Sequence, residues 1–310
     1  MSKGSSSCLK FCLGCCAGVV VLIVLIAAFS IFYVKSNQLD TPVFEEISEI
    51  QQFESHEIQG VVLSELPQDI VPINIVVEAE FCSLTLAPDA PHGTVKVEGE
   101  CDSANGQFEF ITNNQPDQKE LTVSYRSSKS LFFNLGNEHA DDVMNRNHLI
   151  VHLPVDSAIN LTVIHNKGSL DMDFSGIPLN YLNINSHFSE VEMRNMIKNP
   201  LVLSEFFLEQ AMGELKLRNF ENFRFSTMNF DFSMGDFTLS SNGLFYRSAA
   251  IHMDSSMFSG RIEFPENVKI INQLKPRSGK VFITEQPQLE KNVEVTLEGD
   301  CAFGELTIAQ

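Results

Sequence analysis

The chain has no tryptophan, 4 tyrosines and few bases: 21 Lys and Arg stand against 40 Asp and Glu in 310 residues, a formal net charge of −19. That shortage of bases excludes a nucleic-acid role, because binding a polyanion is driven by Lys and Arg neutralising phosphates. Without Trp and with so little Tyr, a sugar-stacking platform is hard to build. Pro and Gly, 12 and 17, are too few for a collagen-like or low-complexity chain, and with 44% apolar residues the sequence is expected to fold. There is no Walker loop, GxGxxG, GxSxG or HExxH, so the chemistries those motifs position have no visible basis.

What is present begins with one long apolar run. Phe11 to Val34 is 24 residues without a charge, enough at about 1.5 Å per residue to cross the ~30 Å hydrocarbon layer as a helix. Lys3 and Lys10 precede it with no acid, and the chain turns acidic soon after Lys35. The positive-inside bias therefore puts residues 1–10 in the cytoplasm and everything past the single transmembrane helix, 11–34, outside. A cleaved signal peptide with a site at Ala28, Phe29 and Ser30 is the rival reading; the apolar run continues to Val34, past where a cleavage region turns polar, and favours a retained signal-anchor. Residues 35–70, with Glu45, Glu46, Glu49, Glu54 and Glu57, read as an acidic stalk that could hold a short helix.

The cysteines fall into two groups. Cys8, Cys12, Cys15 and Cys16 sit at the cytoplasmic membrane edge, where S-acylation and plain small-residue packing are both open readings. Cys82 and Cys101 are 19 residues apart, near the repeat length described next, and are a disulfide candidate if they lie on neighbouring coils. Cys301 reads as a buried small residue.

A repeat organises the second half. Leu182–Met193, Phe206–Leu217 and Met228–Leu239 align without gaps, and with Ser189, Gly213 and Gly235 as position zero, positions −7, −5, −1, +2 and +4 are apolar in every copy. Weaker copies are centred on Gly168, Gly260, Gly279 and Gly304, at intervals of 19 to 25 residues. A period in this range marks a stacked array in which each unit buries its face against its neighbours. Polar residues at +1 and +3 between apolar ones give a period of two, hence strands. Residues 71–165 look like the same material less regularly written. In an antiparallel β-sandwich, the alternative, the Met or Phe at −1 would sit on an exposed hairpin tip; in a parallel β-solenoid of ~22-residue coils it points inward and the Gly relaxes the bend. The expected fold is therefore all-β, a β-solenoid over 71–310 with its clearest repeats in 168–310.

An anchor, alternating strands and then Gly-x-apolar-x-apolar units such as GELKL, GDFTL and GELTI resemble the auto-transporter-adhesin-head-like β-solenoid domains of bacterial envelope proteins, over roughly residues 75–310. The resemblance implies architecture and an adhesive setting; it supplies no catalytic residues.

Candidate chemistry is sparse. Position +1 carries Ser169, Glu190, Glu214, Asp236, Arg261, Lys280 and Glu305; stacked at ~4.8 Å, the three adjacent carboxylates Glu190, Glu214 and Asp236 form either a solvated acidic face or a site for a divalent cation such as calcium. His148 and His152 lie ~13 Å apart on one strand face, too far to share an ion. His165 and His187 fall at −3 and −2 and should not stack. Asp171, Asp173 and Asp231 are the carboxylates available to the alternative function, a carbohydrate-active β-helix enzyme; a third reading is an envelope-stress sensor. Asn160-Leu161-Thr162 is a glycosylation acceptor in a host that has the machinery. The expectation is a non-catalytic, membrane-anchored cell-envelope or cell-surface protein, an adhesive or scaffolding ectodomain whose partner is a protein or a polysaccharide surface.

Overall fold

Alternation of apolar and polar residues on either side of a mid-strand corner buries the apolar half of strands 14 to 17 residues long, every second side chain of each arm facing a common interior. The computed structural model describes residues 50–59, 71–91, 93–102, 106–115, 118–127, 147–284 and 293–310. Within them the chain is all-β, with no α-helix. The strands are β1 (Ile50–Gln59), β2 (Ile73–Ala79), β3 (Ser83–Ala87), β4 (Thr94–Asp102), β5 (Gly106–Gln115), β6 (Gln118–Ser127), β7 (His148–His152), β8 (Ile159–Asp173), β9 (Leu179–Arg194), β10 (Glu205–Arg218), β11 (Thr227–Ser240), β12 (Ala249–Glu263), β13 (Val268–Pro276), β14 (Lys280–Ile283) and β15 (Val293–Ala309), joined in one 15-stranded sheet.

From β8 to β12 each strand pairs parallel with the next, with homologous repeat positions in register: Gly168 with Ser189, Ser189 with Gly213, Gly213 with Gly235. Parallel pairing excludes the antiparallel sandwich for these strands. The earlier strands enter the same array as half-rungs. β2 pairs with the first half of β8 and β3 with its second half, while β6 and β7 pair with β2 and β3 in turn. Antiparallel strands flank that end: β5 on β6, β4 on β7 and β1 on β4. Ile50–Gln59, inside the segment expected to be a stalk with helical potential, is thus a strand. Residues 11–34 and the four N-terminal cysteines lie outside the described residues; among the described ones no helix is long and apolar enough to cross a membrane.

Four of the five apolar positions face inward. Positions −7, −5, +2 and +4 of the three aligned copies are all buried, from Leu182 and Phe206 to Leu239. Position −1 is the exception. Phe188 and Met212 are each 38% exposed, and Met257 and Phe303, which continue the row, are 50% and 64% exposed. The inward place belongs instead to −3: His165, Ser186, Gln210, Phe232, Ser255 and Cys301, every one buried and paired in one row. The strand turns a corner between −3 and +2, and −1 stands on its outside.

Glycine at 213 and 235 is demanded twice over. Gly213 and Gly235 have φ of 129° and 126°, a region L-residues avoid, and an added Cβ would run into the carbonyl oxygen of the zero residue one rung below, Ser189 or Gly213. Rings fill the space on the return side: Phe206 lies 5.1 Å from Phe223 and 5.7 Å from Phe225, and Phe220 5.4 Å from Phe245. One expected register is corrected. Phe258, not Gly260, is the zero residue of β12, pairing with Gly235 and Gly304. Phe258 turns its ring inward against Phe237 at 5.5 Å, the place +2 fills elsewhere, and Gly260 at +2 makes the room, since a Cβ there would strike the Phe237 ring.

Two measurements check this packing. Phe206→Ala should lower unfolding free energy by about 3–5 kcal/mol, as for large core rings generally, whereas Phe303→Ala, on the exposed corner, should change it by less than about 0.5 kcal/mol; urea denaturation of both variants decides. Gly213→Ala should cost more than about 1 kcal/mol despite adding one methyl, and equal stability to wild type would refute the strained corner.

Candidate functional site

The corner is where the array shows its most regular outer surface. Position −1 gives an apolar row, Phe188, Met212, Met234 and Met257, each paired with the next. Zero gives a bare row of Gly168, Ser189, Gly213 and Gly235. Position +1 gives Ser169, Glu190, Glu214 and Asp236 in register, as expected from the sequence. Because the zero row has almost no side chain, the −1 and +1 rows stand apart as the walls of an open depression of about 600 Å³, lined by Ser83, Lys167, Gly168, Ser169, Phe188, Ser189, Glu190, Met212, Gly213 and Glu214.

Glu190, Glu214 and Asp236 stack but do not converge. Among the described residues no group of three or more His, Cys, Asp or Glu side chains could hold a metal ion. One strand carries each carboxylate outward on its own rung, so they form a row, not a cage. Lys216 Nζ meets Glu214 at 2.7 Å, which raises the lysine pKa, and Arg218 meets Glu192 at 3.1 Å. Arg261 is not in this row: with Phe258 at zero, Ser259 takes +1 and Arg261 pairs with Thr238 and Thr307. Lys280 does end the row, 3.5 Å from Glu305.

A second acidic row went unnoticed in the sequence. Position −4 reads Asn185, Glu209, Asp231, Asp254 and Asp300, adjacent on β9, β10, β11, β12 and β15. Asn185 donates to Glu209 at 3.0 Å and Arg277 closes the far end on Asp300 at 2.6 Å. Partial burial, then Glu209 and Asp254, push the Asp231 pKa up. The signal was available, since −4 is acidic in two of the three aligned copies and Asn in the third.

Beneath the corner, buried polar side chains reach the carbonyls that the bend leaves unpaired. Gln210 Nε2 donates to Ser189 O at 2.9 Å. His165 does the same two rungs earlier: Nε2 lies 2.8 Å from Cys82 O, and because a carbonyl only accepts, the proton is on Nε2 and Nδ1 accepts from Ser189 Oγ at 2.7 Å. Ser189 and His165 thus have the spacing of a nucleophile and its base, but both are buried and each serves to satisfy the other.

The remaining sequence candidates are dispersed. His152 Nδ1 sits 2.6 Å from Asp89 and its Nε2 3.2 Å from Glu98, binding β7 to β4; His148 lies four residues earlier on the same face of β7 and shares no ligand set with it. The Lys96 hydrogen bond, then that of His152, hold the Glu98 carboxyl below its usual range. His165 pairs with Ser186 while His187 bonds Asn166, so the two histidines do not stack. Asp171 and Asp173 are both held by Arg194, at 3.1 and 3.0 Å, on the opposite side of the corner from Asp231 in β11. Cys82, Cys101 and Cys301 are buried. β7 lies between β3, which Cys82 directly precedes, and β4, which carries Cys101, so the two cysteines are not on adjacent strands. Burial, then the neighbouring Cys101, drive the Cys82 thiol pKa up. Asn160 Nδ2, the atom a glycan would occupy, donates to Asn74 Oδ1 at 2.8 Å while Asn180 donates to Asn160, an amide ladder across three rungs.

No protein-family profile matches the chain, and no curated protein sequence matches it. Among solved structures it is similar to a candidate cell adhesion protein from Clostridium sporogenes, at 12% identity and a TM-score of 0.41, covering 84% of this chain and 100% of that one. It is also similar to candidate adhesins from Bacteroides fragilis (10% identity, TM-score 0.28, covering 84% and 97%) and Parabacteroides distasonis (11%, 0.20, covering 83% and 97%). TM-scores below 0.5 do not establish a common fold with any of them.

His165 yields a pH prediction. Burial, opposed by the Cys82 hydrogen bond, lowers its pKa from the ordinary 6.5. The unfolded chain then binds the proton more readily than the folded one, so stability is full above pH 6.5 and falls as the pH drops below it. His165→Gln, which can donate to the Cys82 carbonyl as Gln210 does to Ser189, should flatten that fall; equal losses between pH 7.5 and 5 for both proteins would refute it. Melting curves with calcium and with chelator should coincide, because the acidic row is open.

Proposed function

We propose that the chain is a membrane-anchored, non-catalytic surface protein: residues 11–34 span the bilayer, the N-terminus is cytoplasmic, and residues 71–310 form an extracytoplasmic β-solenoid that adheres to, or scaffolds, protein or polysaccharide surfaces. The observation that carries this reading is the corner itself. Its outer side chains recur rung after rung in register, Phe188 on Met212 on Met234 and Glu190 on Glu214 on Asp236, which suits repeated contact with an extended partner. The parallel, in-register rungs and the bend at the zero residue support the solenoid reading, in which each rung is one coil. The groups that chemistry would need are held elsewhere. Asp171 and Asp173 are committed to Arg194, His165 is buried, and the Ser189 hydroxyl is bonded to it. The uncharged run and the bases before it support the anchor and its orientation.

Two experiments test the proposal. Cells expressing the chain should attach to protein- or polysaccharide-coated surfaces more than cells lacking it, and deletion of 71–310 should abolish the gain. The full chain should stay in the membrane pellet through alkaline carbonate extraction, and deletion of 11–34 should release it; release of the intact chain would overturn the anchor.

A further inference from the structure

The depression at the corner has two unlike walls. Phe188 and Met212 make one side apolar and half-exposed, and Glu190 with Glu214 make the other acidic, over a floor of Gly168, Ser189 and Gly213. In register, Met234, Gly235 and Asp236 continue both walls and the floor by one more rung. Glu190 and Asp236 have no ion-pair partner among the described residues, and Lys216 alone meets Glu214.

We propose that this groove docks a basic, extended segment of a partner protein, which names the partner chemistry for the adhesive reading above and rests on it. The walls suit a long cationic side chain. Its aliphatic stem packs on Met212 and Phe188, where an Arg also stacks on the ring, and its head reaches the carboxylates across a floor with no side chain to obstruct it. Charge selects the occupant. A second copy would bring the same acidic rows, in a chain of net charge −19, and an anionic lipid surface would meet the same repulsion. Spacing sets the pattern. Three carboxylates one rung apart span about 9.6 Å, and alternate side chains of an extended peptide are ~6.8 Å apart, so two cations at i and i+2 face three acids.

The test uses the full chain in detergent and a fluorescein-labelled hexapeptide of alternating arginine and leucine, read by anisotropy. Glu190→Lys with Asp236→Lys should weaken binding tenfold or more, and Met212→Ser several-fold. Glu209→Lys with Asp231→Lys, the same change of charge on the −4 row, should weaken it less than twofold. No binding by the wild-type chain, or equal losses for the two double variants, overturns the groove. Binding to phosphatidylglycerol vesicles that Glu190→Lys/Asp236→Lys removes overturns it in favour of lipid. Cell attachment is scored in parallel: attachment that survives Glu190→Lys/Asp236→Lys overturns the groove and leaves the adhesive reading standing, whereas peptide binding without attachment overturns the adhesive reading alone.

Discussion

The constraint on which the rest depends is that each residue of the array stacks on its own counterpart one rung away, at about 4.8 Å. In a parallel ladder in register, like meets like. Repeated apolar residues gain from this arrangement, and Asn does too, as the Asn74, Asn160 and Asn180 amides show by bonding in sequence. Carboxylates lose, because equal charges at one strand spacing repel. The acidic rows therefore exist only where their members point into water, and where bases reach in from the neighbouring column or the end of the stack.

The same constraint governs the corner. A bend that keeps every rung superimposed brings the zero residue against the carbonyl of the rung below, which is why Gly213 and Gly235 cannot carry a Cβ. The bend also turns carbonyls away from the ladder, and they are recovered by polar side chains at −3, His165 and Gln210, placed inside for that purpose. Interior volume is conserved with less regard for position. Gly235-Asp236-Phe237 and Phe258-Ser259-Gly260 present the same ring to the core from opposite ends of the triplet. A substitution at either end is thus coupled to the residue two places along.

Strand type and rung spacing were legible in the sequence because they follow from alternation, and the 23-residue period survives variation in the loops. The stacking of Glu190, Glu214 and Asp236 was legible for the same reason. The outward row at −1 was not. Alternation counts parity, and the corner breaks parity once per rung, so Phe188 and Met212 read as core although they stand outside it, and the polar residues buried at −3, Gln210 and His165, carried no hydrophobic signal. The shift at Phe258 was hidden because a glycine two residues later mimicked the motif. Hydrophobicity reports burial only where the backbone stays regular.

The ends of the array were also hidden. Chain order is broken at both: β6 and β7 lie outside β2 and β3, and β15 inserts between β12 and the terminal β13 and β14. A parallel stack left open at its last rung would template further copies of itself. Here the outermost rung comes from a segment, 268–283, that holds four bases and no acid. Lys269, Arg277 and Lys280 each pair with an acid of β15 below, Glu294, Asp300 and Glu305. Placing the late strand β15 beneath them lets the bases close the acidic rows at that end of the stack.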